Sequence, residues 1–229
     1  DSLIEKIVKN LYKDYEKTKV NFHPKYSIDP SGYVYEAVES NRLENVKTTI
    51  FFKDSESGES CLWDAEEYDQ KNPLYTDSTG CYAWDVPEGF WQVKYEMGGY
   101  ETAYSEWLPV PPPQTEVNIG LVSKSKPAVE SVNGYQKAIE VKFSKYMDIE
   151  SLTEDTIKVT QGGMPLQGSF AYRNAETNGI SGKQYASTIR FIPAADVDGD
   201  VQIYISGKVK SYANVEMGED AVHNLTIRP

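Results

Sequence analysis

The stretch from Tyr75 to Tyr100, YTDSTGCYAWDVPEGFWQVKYEMGGY, constrains the fold more tightly than any other part of the chain. Thr76-Asp77-Ser78-Thr79-Gly80 is a turn: short hydrogen-bonding side chains followed by a glycine free to take positive φ. Cys81 to Val86 then alternates, with Tyr82, Trp84 and Val86 on one face and Cys81, Ala83 and Asp85 on the other, the period of a half-buried strand. Pro87-Glu88-Gly89 turns again, Trp91, Val93 and Tyr95 restart the alternation, and Gly98-Gly99 closes it. The expectation is a hairpin whose shared aromatic face packs on another sheet.

The pattern T-D-x-x-G-x-Y-x-W-x-x-P-x-G-x-W-x-V, with Gly99-Tyr100 beyond it, resembles the carboxypeptidase regulatory-like domain. The resemblance implies a transthyretin-like (prealbumin-like) β-sandwich of a kind common in bacterial surface proteins. Ser31-Gly32-Tyr33-Val34-Tyr35 is similar to that family's opening strand and VKTTIFFK, from Val46 to Lys53, to its second. About residues 28–122 are covered.

Residues 128–229 start a second strand series. Val129–Val132, Ala138–Phe143, Ile157–Thr160, Ser187–Ile192, Val201–Ile205 and Leu225–Ile227 are short apolar-alternating runs, with a turn at Gly162-Gly163 and a helical or turn segment over Ile149–Asp155. Such close spacing predicts a Greek-key sandwich. VKFSKYMD at 141–148, FIP at 191–193 and VKSYANVEM at 209–217 resemble the bacterial Ig-like domain of the S-layer-protein type. That resemblance implies that Met147 plugs the core.

The expected architecture is therefore all-β: two tandem β-sandwiches, transthyretin-like then Ig-like, preceded by a short amphipathic helix. Residues 1–27 carry the helix and a connector, since Leu3, Ile4, Ile7, Val8, Leu11, Tyr12 and Tyr15 lie at helical spacing with Ser2 and Glu5 as a capping box. Residues 28–122 and 128–229 are the sandwiches, and SKSKP at 123–127 is a short extended linker. LPVPPP at 108–113 is stiff extended chain, expected to cross a sheet edge before a last strand at Glu116–Leu121.

With 229 residues, each half is long enough to bury a core. The formal net charge of −12 opposes nucleic acid and anionic membranes, both of which select basic surfaces. No segment approaches a transmembrane span, and Asp1 does not open a signal peptide, so the chain reads as a piece of a larger extracellular or surface protein.

Cys61 and Cys81 are the only cysteines. With Leu62 pointing inward, both thiols fall on outer faces, where neighbouring antiparallel strands bring them within disulfide reach; two unrelated thiols are the alternative. The acidic run from Asp54 to Asn72 lacks calcium-loop spacing. Asp196, Asp198 and Asp200 are a weak metal candidate, because the downstream glutamate of a calcium loop is missing and the stretch suits a β-turn. No metal and no cofactor is expected.

Catalysis is not expected either. Only His23 and His223 are available as histidine bases, each near one end, and no nucleophile elbow, zinc helix or phosphate loop is present. Two functions remain. The first is a monomeric, non-catalytic structural or spacer segment of a bacterial surface or secreted protein, partnered by other domains of the same chain. The second is an adhesion module for a glycan or a surface protein, using Trp63, Tyr68, Tyr104 and Trp107 as exposed aromatics.

Overall fold

The computed structural model describes residues 29–229. The helix expected over residues 2–20, the connector after it and His23 lie outside the described residues. The described chain is almost all β, 49% strand and 3% helical. It divides into two compact units: residues 29–35, 42–98 and 102–119 form the first, and residues 36–41, 99–101 and 120–229 form the second.

Ten strands precede residue 122: β1 (Ser31–Glu36), β2 (Val38–Arg42), β3 (Lys47–Lys53), β4 (Cys61–Leu62), β5 (Leu74–Tyr75), β6 (Cys81–Ala83), β7 (Gly89–Glu96), β8 (Ala103–Tyr104), β9 (Leu108–Val110) and β10 (Ile119–Leu121). In the first unit, one sheet has the order β4-β3-β7-β8, with β5 also on β3 and β9 on β7. Its inner rows are Thr48↔Tyr95, Ile50↔Val93 and Phe52↔Trp91. Facing them, β1 pairs with β6 in the register Gly32↔Tyr82.

The alternation over 81–95 points inward as expected, with Tyr82, Trp84, Val86, Trp91, Val93 and Tyr95 all buried. The hairpin does not form. β6 pairs with β1, and β7 pairs with β3, β8 and β9 in the opposite sheet. The physical reason is that the backbone donors after β6 are taken: Trp84 N–H donates to Pro30 O and Val86 N–H to Asp29 O. Pro87 then has no N–H to continue a ladder. The chain crosses between sheets over Pro87–Glu88, so the two aromatic faces meet across the interior instead of sharing one surface. Tyr82 and Tyr95 rings touch edge-on at 5.5 Å.

Residues 114–118 close the other side of β1. Ser31 N–H donates to Gln114 O at 2.9 Å and Val117 N–H donates to Ser31 O at 3.0 Å. Gly32 sits so close to this segment that a Cβ there would lie 2.1 Å from Val117 O, so only glycine fits. The expected crossing segment at 108–113 is partly a strand, since β9 lies along β7 with Leu108 opposite Trp91.

The second unit contains β11 (Val129–Tyr135), β12 (Ala138–Asp148), β13 (Ile157–Gln161), β14 (Met164–Pro165), β15 (Gly168–Arg173), β16 (Glu176–Thr177), β17 (Gln184–Pro193), β18 (Gly199–Ile205) and β19 (Ala221–Ile227). One sheet runs β11-β12-β17-β15 with β16 on β17, and the other runs β14-β13-β18-β19. Ile139, Val141 and Phe143 of β12 and Ile189 and Phe191 of β17 meet Ile157, Val159, Val201, Ile203 and Ile205 in one buried core. Met147 is fully buried in that core, as the resemblance implied. Its strand extends through Asp148, and a short 3-10 turn follows at Ile149–Ser151.

Candidate functional site

The four aromatics singled out in the sequence do not form a platform. Trp63 is only 7% exposed. Its ring meets Trp91 edge-on at 5.1 Å and Tyr68 at 5.3 Å, so it belongs to the core of the first unit. Backbone pairing places it there, because Trp63 N–H donates to Ile50 O and the Asn72 amide donates to both Trp63 O and Ile50 O. Asn72 Oδ1 also accepts from Ile50 N–H, so one side chain substitutes for a ladder partner on β3.

Tyr68 is half-buried against Trp63 at the end of a short 3-10 turn, Glu66–Tyr68. Trp107 is half-buried too, with Lys53 Nζ 4.2 Å from its ring centroid, and is neither a core plug nor an open surface. Tyr104 alone is exposed, on β8 opposite Lys94. Sequence reasoning missed Tyr75 and Leu62, both 60% exposed. Tyr75 lies opposite Lys47 and Leu62 opposite Phe51, so both mark outward rows of the β3–β7 sheet. The outward alternation of β3 was the available clue, but β4 and β5 are two residues each and too short to show a period.

An open cleft of about 590 Å³ lies beside Trp63, bordered by Leu62, Asp64, Glu66, Lys71 and Asn72. The edges of the core tryptophans are spoken for nearby: Trp84 Nε1 donates to Lys71 O at 2.7 Å and Trp91 Nε1 to Pro87 O at 3.0 Å. Buried indole N–H groups satisfied by backbone are not available to a ligand.

Cys61 and Cys81 are free thiols. The expected geometry fails at its premise, because Leu62 is exposed and the two cysteines lie in different sheets, Cys61 opposite Phe52 and Cys81 opposite Tyr33. Among the described residues no group of three or more His, Cys, Asp or Glu is arranged to hold a metal ion. Asp200 accepts from Thr226 Oγ1 at 2.6 Å, and Asp198 contributes its backbone oxygen to Gln161. Asp77 accepts from Thr79 N–H, Thr79 Oγ1 and Cys81 N–H, bonds that hold its carboxyl below the usual carboxylate range and lock the TDSTG turn.

A buried charge cluster lies in the second unit. Glu36, with 7% of its side chain exposed, pairs with Lys145 Nζ at 3.1 Å and accepts from the Tyr100 hydroxyl. Burial, then the Glu36 carboxylate, pushes the Tyr100 phenol well up. Nearby, the Tyr212 hydroxyl donates to Leu121 O and accepts from Ser123 N–H. In the first unit, burial raises the phenols of Tyr82 and Tyr95 far above the ordinary range. These groups hold protons tightly at neutral pH and make fixed hydrogen bonds. His223 lies on β19 opposite Ile203.

No protein-family model matches the sequence. No curated protein matches it. Among solved structures, the N-terminal part of the bacterial S-layer protein SbsC is similar at 24% identity over 45% of this chain and 24% of that one, with a TM-score of 0.33. The match thus spans about a quarter of that chain. A Bacteroides uniformis protein provisionally assigned to carbohydrate binding is 12% identical over 86% of this chain and 97% of its own, with a TM-score of 0.27. The extracellular portion of mouse CD200RLa is 10% identical over 88% and 96%, with a TM-score of 0.25. Likenesses at these scores do not bear on the fold or the function of this chain. Among the described residues no helix is long and apolar enough to cross a membrane.

Proposed function

We propose that the chain is a non-catalytic structural segment of a bacterial cell-surface or secreted protein, whose β units carry or position other domains of the parent chain. The observation that supports this reading is the use made of the aromatic residues. Trp63, Trp84 and Trp91 are buried, and the indole N–H groups of Trp84 and Trp91 are bonded to backbone oxygens. The strongly shifted phenols sit in internal hydrogen bonds instead of an open cleft. Aromatic mass spent this way stabilises sheets and leaves little for recognition.

The test is replacement within the parent protein. Exchange of residues 29–229 for an unrelated β segment of equal length should leave surface display and the activities of the neighbouring domains intact. Loss of a neighbouring activity despite normal display overturns the structural reading.

The exposed Tyr75, Tyr104 and Leu62 favour a second reading, adhesion to a glycan or a protein through the outward rows of the β3–β7 sheet. It is tested by the Tyr75→Ala/Tyr104→Ala pair in a binding assay on whole cells or immobilised glycans. Adhesion that survives both substitutions sinks this second reading.

A further inference from the structure

The outward face of the β13-β18-β19 sheet carries a polar cleft of about 570 Å³. The strand register builds it row by row. Thr160, Gln202 and Asn224 stand side by side on three adjacent strands, and Asp200 stands beside Thr226 in the neighbouring row. Adjacent strands are about 4.8 Å apart, so the three-residue row reaches across roughly 10 Å. Gln202, Asn224, Asp200 and Thr226 are exposed, and Thr160 is half-buried.

Internal bonds hold the lining in place. Gln202 Nε2 donates to Asn224 Oδ1 at 3.1 Å, and Thr226 Oγ1 donates to Asp200 Oδ1 at 2.6 Å. Each amide keeps further capacity, a free carbonyl lone pair on Gln202 and a free NH₂ on Asn224. The β13–β14 turn forms one wall from Gly162 and Gly163, both at positive φ, and a Cβ at either would meet nothing within 4 Å. That wall is bare backbone beside open space.

The charge pattern selects among ligands. The cleft is lined by no lysine or arginine and by one carboxylate, in a chain of net charge −12. A polyanion finds no cation there and meets a repulsive field. A peptide side chain finds no apolar pocket, because Val201 and Leu225 contribute to the lining from strands that point those side chains toward the core. What fits is a neutral, hydroxyl-rich ligand, whose vicinal hydroxyls pair with planar amides and a carboxylate acceptor.

We infer that this cleft is a binding site for a neutral glycan chain, with Gln202 and Asn224 as the central contacts and Asp200 as an acceptor. The site lies in the second unit and is independent of the exposed tyrosines of the first, so it goes beyond the structural role and stands or falls separately from it.

The test is an NMR titration of the isotope-labelled chain with mannohexaose, xylohexaose and cellohexaose, with chondroitin sulfate as the anionic comparison. The expected result is saturable movement of the Gln202 and Asn224 side-chain amide signals and of Gly162 and Gly163 with at least one neutral hexaose, and none with chondroitin sulfate. Gln202→Ala/Asn224→Ala should weaken that binding at least about tenfold, as lost hydrogen bonds to a ligand do. Should that pair disturb folding, Thr160→Arg, which projects a long cation into the cleft, should block the same signals. No movement with any of the three hexaoses, movement confined to other residues, or binding unchanged in a folded variant overturns the site.

Discussion

The hydroxyl of Tyr82 lies 2.5 Å from the hydroxyl of Tyr95, joining two opposed sheets inside the first unit. Tyr82 also lies within hydrogen-bonding distance of Val117 O, at 2.6 Å, so this one side chain ties β6, β7 and the segment beside β1 together. Tyr82→Phe strands a half-buried carbonyl and a buried hydroxyl. It should cost about 1–3 kcal/mol in urea unfolding. Tyr82→Phe/Tyr95→Phe should cost less than the sum of the two single changes, because the Tyr95 hydroxyl that Tyr82→Phe leaves unpaired is absent from the double variant.

Trp63 and Trp107 look alike in sequence and differ in the fold. Trp63→Ala removes a buried ring packed on Trp91 and Tyr68 and should destabilise by about 3–5 kcal/mol. Trp107→Ala loses a half-buried ring under Lys53 and should cost about 1 kcal/mol or less. Denaturation midpoints followed by far-ultraviolet circular dichroism separate the two. Equal losses would contradict the assignment of Trp63 to the core.

The Glu36–Lys145 pair is buried enough for its loss to matter. Lys145→Met leaves the Glu36 carboxylate with the Tyr100 hydroxyl as its remaining named side-chain partner, and should cost about 3 kcal/mol or more. Adding Glu36→Gln to that variant should recover much of the loss, since an amide tolerates burial better than an unpaired charge. A double variant no more stable than Lys145→Met would show that packing of the lysine stem, and not the charge, carries the effect.

Both cysteines should react with a maleimide without prior reduction, giving two adducts by intact mass. Cys61 is exposed and Cys81 half-buried, so Cys61 should be modified first. A chain two mass units lighter that resists labelling until reduced would show an internal disulfide instead.

Asp77 sets a small acid dependence with a defined sign. Its carboxyl is held below the ordinary value of 3.8 by the bonds from Thr79 and Cys81. A depressed folded value means the stabilisation is complete above the unfolded value and fades as pH falls through the folded one. Asp77→Asn keeps an acceptor at the turn but does not titrate. Its stability should therefore fall less steeply than that of the unaltered protein as pH drops below about 4. Equal acid slopes in pH-dependent urea unfolding would remove Asp77 from the account.

Much of the first unit was legible in its residues. Alternation assigned Tyr82, Trp84, Val86, Trp91, Val93 and Tyr95 to the interior, and all six are buried. The same alternation is silent on which strand lies alongside, so the expected hairpin is an arch between sheets. Trp63 was misplaced for a related reason. β4 is two residues long and shows no period, and Trp63 is drawn inward by Ile50 and Asn72, both more than eight residues away. The polar cleft was invisible because Thr160, Gln202 and Asn224 are scattered over the sequence and become neighbours only through strand register.

What the sequence by itself determined is therefore local: the almost wholly β character of the described residues, the turns at Asp77–Gly80 and Gly162–Gly163, and the inward face of the two alternating runs between Cys81 and Tyr95. These follow from side-chain period and from the φ preferences of single residues, which act within a few positions. Tertiary structure alone decided the strand partners, the burial of Trp63, the separation of the two thiols and the Glu36–Lys145–Tyr100 cluster. Those depend on hydrogen bonds and contacts between distant residues, where many pairings satisfy the same period and only packing of the whole core selects one.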